Sequence, residues 1–157
     1  MLPQDVFEVV IRSTPLVSID IILKNTTGEV LLGKRNNRPA KGNWFVPGGR
    51  VLKDEPLDLA FKRLIENELG LKEEVRSNFK GIYQHFYDDN FLGNTFTTHY
   101  VVLAYEVNFN GELTSLPEEQ HSDYKWFTQD ELLLNDHVHE HTKWYFQNDK
   151  QADKMFK

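Results

Sequence analysis

The hydrophobic period of this chain changes between residues 49 and 71, and that change narrows the folds open to it more than any other feature. Upstream, Val17, Ile19, Ile21 and Leu23 alternate with Ser18, Asp20 and Lys24, the pattern of a half-buried strand. From Pro56 the spacing becomes helical: Leu57, Ala60, Phe61, Leu64 and Glu68 recur on one face, and Ile65 and Leu69 widen it. Pro56 suits the first helical position and Gly70 suits the stop. The helix is entered from a short strand, Trp44-Phe-Val-Pro47, through Gly48-Gly49 and a charged loop.

Strand signals dominate the rest. Asn25-Thr26-Thr27-Gly28 marks a turn, and residues 29–34 return as a second strand. Residues 36–43 carry Pro39 and Gly42 and read as a loop. Two strand-like runs, 79–87 and 95–109, form a hairpin across residues 88–94. After a loop over 111–123, residues 124–127 form a strand, and Thr128 with Glu131 makes the capping-box pattern of a helix start. Asp136 is placed to cap a final helix, and the segment ahead of the first strand receives no element of its own. No repeat, low-complexity tract or linker divides the chain. Residues 1–157 are therefore expected to form one domain, a mixed α+β sandwich.

Composition sets the functional limits. At 157 residues, 39% hydrophobic and 13% aromatic, the chain can bury one substantial core. Its net charge of −6 argues against a nucleic-acid partner, since such binders carry basic faces. A local group of Lys34, Arg35 and Arg38 leaves a phosphate ligand open inside a cleft. The absence of cysteine rules out disulfides, thiolate catalysis and zinc-thiolate sites. The start, MLPQDVFEVV, lacks the basic and apolar runs of a signal peptide, and no apolar stretch is long enough for a membrane span. A cytoplasmic protein without a membrane partner is the expectation.

The segment that switches period also carries the chemistry. Gly49 is followed after five residues by Glu55 and after seven more by Arg63, then Ile65, Glu68, Gly70 and Leu71. This resembles the Nudix box in register, and the Trp-Phe-Val-Pro-Gly-Gly lead-in and the later aromatic strand with its Glu-Leu helix start match as well. The resemblance spans nearly the whole chain. It implies an α/β/α sandwich with a central mixed sheet and a loop-helix-loop box whose carboxylates hold Mg2+.

Two box positions depart from the family pattern: Leu64 and Asn67 stand where it has Glu. Glu66 cannot replace them, because it is displaced about 200° around the helix from Glu68. The same loss occurs in one Nudix branch, the GDP-mannose mannosyl hydrolases. This sequence resembles them through Ser13-Thr-Pro-Leu-Val-Ser18, Gly33-Lys-Arg35, Trp44–Val51, Gln84-His-Phe-Tyr-Asp-Asp-Asn90 and Thr97-Thr-His-Tyr100. The branch implies a homodimer that hydrolyses a GDP-sugar, mannose or glucose, to GDP and free sugar, with water attacking the anomeric carbon. One Mg2+ and Arg side chains can neutralise such a leaving group, which leaves a base to activate water on the other face of the sugar.

By position, the resemblance implies a metal held by the Gly48 carbonyl, Glu68 and Gln120, one ion per subunit. It makes His121 the general base, an imidazole expected to titrate near neutrality in a polar loop. His85 and His99, on predicted strands, are read as hydrogen-bonded sheet residues. Arg35 and Arg50 would grip the diphosphate, where guanidinium makes bidentate bonds. Asp20 and Tyr100 would line the substrate, and Leu2, Pro3 and Phe7 would meet the base. Arg63 is expected to fix the loop-helix-loop through a carboxylate, with Glu55 either its partner or a support behind the metal ligands. His137, His139 and His141, ahead of Trp144-Tyr-Phe146, look like a metal tract but fit better a surface helix packed by its aromatics. Two other functions stay open: a conventional Nudix pyrophosphohydrolase cutting a P–O bond, and a non-catalytic nucleotide-sugar sensor.

Overall fold

The computed structural model describes residues 2–113, 116, 121–150 and 152. The chain runs α1 (Gln4–Ser13), β1 (Leu16–Lys24), β2 (Val30–Arg35), β3 (Trp44–Phe45), β4 (Gly48–Arg50), α2 (Leu57–Leu69), β5 (Ser77–Tyr87), β6 (Thr98–Asn108), β7 (His121–Phe127), α3 (Gln129–Leu134) and α4 (Glu140–Lys143), closing with a 3-10 turn over Trp144–Phe146. No helix among the described residues is long and apolar enough to cross a membrane.

The strands form one mixed sheet in the order β3-β2-β1-β6-β5, with β4 on β1 and β7 on β2. Strands β1 and β6 run parallel and the other pairs antiparallel. The position of the cleft follows from how β1 and β2 part. They pair at Lys24 and Val30, beside their turn. Beyond that point β1 takes β4 as its neighbour through Ser18, Ile19 and Asp20, while β2 takes β3 and β7. The sheet therefore opens between β1 and the end of β2.

Each face carries its own core. Ile19, Ile21 and Leu23 pack with Ala60, Leu64, Ile65 and Leu69 of α2. Ile22, Val102 and Ala104 pack on the opposite face with Tyr83, Phe127, Leu132 and Tyr145. The four apolar residues Ile19, Ile21, Ile22 and Leu23 are fully buried, and each such side chain contributes about 1.5–3 kcal/mol. β1 is thus buried on both sides in its second half; Ser18 is buried too and Val17 is exposed, so the expected alternation does not hold.

The box helix matches its expected end. Gly70 adopts the left-handed conformation (φ 68°) and its N–H returns to the Glu66 carbonyl at 2.9 Å. Pro56 sits one position earlier than expected, as the N-cap. Thr128 and Glu131 form the capping box that the sequence indicated.

Three expectations change. Residues 4–13 form a helix, whose inner side carries Phe7, Val10 and buried Ile11 at helical spacing. Its polar residues, including the Arg12–Glu8 pair at 2.6 Å, weaken the apolar signal. β7 starts at His121 rather than at Tyr124, because β2 extends far enough to pair Arg35 with His121. The last helix is capped by His139, whose Nδ1 accepts the His141 N–H at 3.1 Å, and not by Asp136.

Candidate active site

Close approach of two strands builds the floor of the site. A Cβ at Gly48 would lie 2.4 Å from the Ile19 carbonyl oxygen and 2.7 Å from Asp20 Oδ1, so only glycine fits there. Pro47 O accepts the Ile21 N–H and the Val51 N–H donates to Val17 O. In that alternation the Gly48 carbonyl is directed away from β1. One residue on, a Cβ at Gly49 would strike Leu64 Cδ2 at 2.6 Å. Leu64 is 2% exposed, so where the Nudix pattern has a carboxylate this chain seals its core with a methyl group.

Arg63 holds the charged loop. Its Nε and Nη2 donate to the two Glu55 oxygens at 2.6 and 2.9 Å, and Nη2 also reaches the Arg50 carbonyl at 2.9 Å. Glu55 in turn accepts the Leu52 N–H at 2.9 Å. These bonds, Arg63 first, draw the Glu55 carboxyl down to a pKa of about 2. The pair ties loop to helix.

Above this floor lies a cleft of about 190 Å³ that draws residues from β1, β2, β3, β4, β5, β6 and β7. Six of the residues picked out by sequence line it: Asp20, Arg35, Gly48, Arg50, Tyr100 and His121. Ser18, Phe45, His85 and Tyr87 complete the wall and were not among them. A larger, more open hollow of about 710 Å³ lies around Lys24, Lys80 and Glu106. Lys24 and Lys80 are already paired with Glu106, at 3.5 and 3.3 Å.

The two arginines rest on aromatic faces rather than on acids. Arg35 stacks over Phe45 at 5.2 Å and Arg50 over Phe7 at 4.2 Å. Among the described residues neither forms an ion pair, so both guanidinium edges remain available to an anion. Phe7 reaches the site through Arg50 and packs on Phe91 at 5.0 Å. Leu2 and Pro3 are exposed ahead of α1 and do not line the cleft.

His121 departs from its expected setting. It opens a strand and is 5% exposed, with its Nδ1 buried and, among the described residues, without a hydrogen-bond partner. A Cβ on Gly33 would meet its ring at 2.7 Å, so the glycine of the facing strand makes room for the imidazole. Burial, and then Arg35, lower its pKa to about 4, so it is neutral at physiological pH rather than half-titrated.

Asp20, half-buried, lines the same cleft, and its Oδ2 accepts the Tyr145 hydroxyl at 2.5 Å. Burial raises its pKa to about 6 against the pull of Tyr145 and Arg35. Behind it His85 stacks on His141 at 4.3 Å, and His139 stacks on Phe45 at 4.7 Å. His141 and Thr142 are buried, so α4 is not the surface helix expected: one side of it forms the back of the cleft. Period 2 along β5 puts Tyr83, His85 and Tyr87 on one buried face, the sequence signal that could have found this wall.

Glu68, the expected metal carboxylate, is 6% exposed on α2, one turn beyond Leu64, and does not line the cleft. Gln120 lies outside the described residues. Asn67 is exposed. No group of three His, Cys, Asp or Glu side chains suited to a metal occurs among the described residues. One buried carboxylate and one outward carbonyl suit Mg2+, which keeps several waters and shares its ligands with substrate phosphates. They would not suit an ion caged by protein alone.

The NUDIX domain family profile matches residues 14–147. This chain is a member of the Nudix family. It is 39% identical over 126 residues to the low-salt glycan biosynthesis protein Agl8 of Haloferax volcanii, covering 80% of this chain and 79% of that one. An ADP-ribose pyrophosphatase of Methanocaldococcus jannaschii is 39% identical over 69 residues, 44% of this chain and 40% of that one. Among solved structures, a MutT Nudix hydrolase from Burkholderia pseudomallei superposes with a TM-score of 0.67 at 28% identity, over 85% and 96% of the two chains. The Nudix domain of Shewanella oneidensis NrtR, solved with ADP ribose, superposes at 0.65 with 18% identity over 92% and 96%. The mixed sheet between α2 and the C-terminal helices is the Nudix fold, the α+β sandwich that the sequence indicated. The chain is of the Nudix hydrolase type, a family that generally uses a divalent metal.

Proposed function

We propose that this Nudix hydrolase, one domain over residues 1–157, acts on a GDP-sugar, GDP-mannose or GDP-glucose, releasing GDP and the free sugar with inversion. The observation that carries the proposal is the pairing of Arg35 and Arg50, which form no ion pair among the described residues, with a box helix whose Leu64 is locked into the core. The first feature fits a diphosphate. The second removes the extra carboxylate that attack at phosphorus draws on. Mg2+, held by Glu68, the Gly48 carbonyl and Gln120, would neutralise charge on the diphosphate, one ion in each subunit of a homodimer.

In this scheme Arg35 and Arg50 bind the diphosphate, Tyr100 donates to it, Asp20 turns toward the sugar, and Leu2, Pro3 and Phe7 lie toward the base. His121 takes a proton from water as the water oxygen bonds to the anomeric carbon. The bond from that carbon to the β-phosphate oxygen breaks, and its electron pair leaves with GDP. Arg35 opposes protonation of His121 in the free protein. A diphosphate on Arg35 would offset that charge, the smaller of the two causes, burial being the larger.

Agl8, a relative named for glycan biosynthesis, supports a sugar-bearing substrate. The relative named ADP-ribose pyrophosphatase favours a second reading, cleavage of a P–O bond in a nucleoside diphosphate derivative. Turnover of GDP-mannose with Mg2+ in 18O water separates them. Label in free mannose supports attack at carbon. Label in GMP or mannose 1-phosphate supports attack at phosphorus and sinks the first reading. Absence of turnover with either GDP-sugar removes the first reading and favours a binding protein.

A further inference from the structure

The Asp20 carboxylate is held from behind by a residue far away in the chain. Tyr145 lies in the 3-10 turn over Trp144–Phe146 and is 4% exposed. Its ring packs edge-on against Tyr83, with centroids 4.8 Å apart and planes at 87°. That contact fixes where the hydroxyl can reach. The hydroxyl lies 2.5 Å from Asp20 Oδ2 and 3.4 Å from His85 Nε2. A phenol has one proton to donate and an ionised carboxylate can only accept, so the proton goes to Asp20. The oxygen lone pairs are left toward His85, whose own position is set by stacking on His141 at 4.3 Å and 15°.

The bond uses one carboxylate oxygen and leaves the other for the cleft. Oδ1 is the oxygen that a Cβ at Gly48 would approach to 2.7 Å, so it faces the β4 floor of the site. Charge-assisted bonds of this length are strong and directional. Asp20 without such a bond could turn about its χ angles, and the face it offers to a ligand would no longer be defined.

We propose that Tyr145 is a positioning residue: with His85 behind it, its hydroxyl fixes the Asp20 carboxylate so that Oδ1 meets the sugar portion of the substrate. This rests on the assignment of Asp20 to the substrate made above. Tyr145 does not touch the substrate, and its effect passes entirely through Asp20.

A double-mutant cycle on the full chain tests the idea. Tyr145→Phe keeps the ring on Tyr83 and removes only the hydroxyl. With GDP-mannose and Mg2+, Y145F should lose about 10- to 100-fold in kcat/KM, the range expected for a misplaced binding group. In an Asp20→Ala background the same change should have no further effect. An equal loss in both backgrounds would assign Tyr145 a general structural role and overturn the proposal. Wild-type rates in Y145F, or in D20A, would overturn it too. A crystal structure of Y145F gives an arm that needs no turnover: the Asp20 side chain should leave the rotamer that puts Oδ1 beside Gly48. If the wild type proves inactive on GDP-sugars, the functional reading fails on its own terms. The Asp20 rotamer then decides between Tyr145 as its support and Tyr145 as a bystander.

Discussion

The two sides of the cleft are built in opposite ways. The floor, made by β4 and the box, comes from one continuous stretch. Gly48 lies against β1, Leu64 closes over Gly49, and Arg63 bolts the loop to the helix through Glu55. The wall is assembled from separate places: Asp20 of β1, His85 of β5 and His121 of β7 line the cleft, and Tyr145 of the 3-10 turn stands behind Asp20. The floor is tied by hydrogen bonds between oppositely charged groups. The wall is a stack of aromatic and imidazole rings around one carboxylate. A local motif can specify a floor. A wall of this kind exists only after the sheet has formed.

If that division holds, a change in the wall should cost rate, and a change in the floor should cost stability. The largest effect expected is in the wall. His121→Gln should lower kcat by about 10^2 to 10^4, the usual worth of a general base, with the melting temperature little altered. A rate close to wild type would remove His121 from the chemistry. The next effect belongs to the floor. Leu64→Glu restores the carboxylate of the Nudix pattern but buries it beneath Gly49. It should cost about 3–5 kcal/mol, as an uncompensated buried charge does, seen as a lower denaturation midpoint in urea. A stable variant with faster turnover would show that the position can still serve a metal. Smaller again, Arg63→Ala should lower the melting temperature measurably, whereas Arg12→Ala should leave it unchanged. Both arginines pair with a carboxylate at 2.6 Å, but Arg63 is half-buried and also holds the Arg50 carbonyl, while Arg12 is in solvent.

The same division explains what could be read in the sequence. The helix over 57–69, its glycine stop and the Arg63–Glu55 bond depend on spacing within the box, and they emerge from the residues alone. Asp20 could be noticed as a polar interruption in β1, but its partner Tyr145 is 125 positions away. His121 was legible as a candidate and its environment was not. The polar residues around it suggest a loop, and only the pairing of Arg35 with His121 carries it into the sheet against Gly33. α1 escaped notice because Val6 and Val9 project outward and blur the apolar side formed by Phe7, Val10 and Ile11. The histidines of residues 137–141 were weighed as a metal tract or a surface face. Burial of His141 against His85 is a third outcome that needs the fold.

The finest test of the wall is its dependence on pH. His85 and His141 are pushed down to about 3 and about 2, burial being the larger cause for each. The charges that add to it come from His139 and Lys150 for both, and from His85 for His141. Unfolded, each would titrate near 6.5. Below that pH the unfolded chain binds protons that the folded chain refuses, so acid favours unfolding. The contribution is fully present above about pH 6.5 and drains away as pH falls from there toward 3. Asp20, raised to about 6 chiefly by burial, binds its proton more readily in the folded chain and opposes this loss, whereas His121 and His139, lowered to about 4 chiefly by burial, add to it. With four histidines set against one carboxyl, stability measured by urea titration should be flat from pH 8 to 7 and fall between 6.5 and 4.5. His141→Phe keeps a ring in the stack and gives up Nδ1, which has no hydrogen-bond partner among the described residues, and Nε2, which lies 3.9 Å from the exposed Glu140 carboxylate. The variant should match the wild type at pH 7.5 and lose less stability by pH 5, because one proton-binding group has left the unfolded chain. The Glu55–Arg63 bond does not interfere in this window, since its carboxyl stays ionised down to about pH 2. Parallel pH profiles for His141→Phe and the wild type would show that the histidine is charged or solvated in the folded protein. The back wall would then be a wet, polar lining rather than the dry stack that holds Asp20 in place.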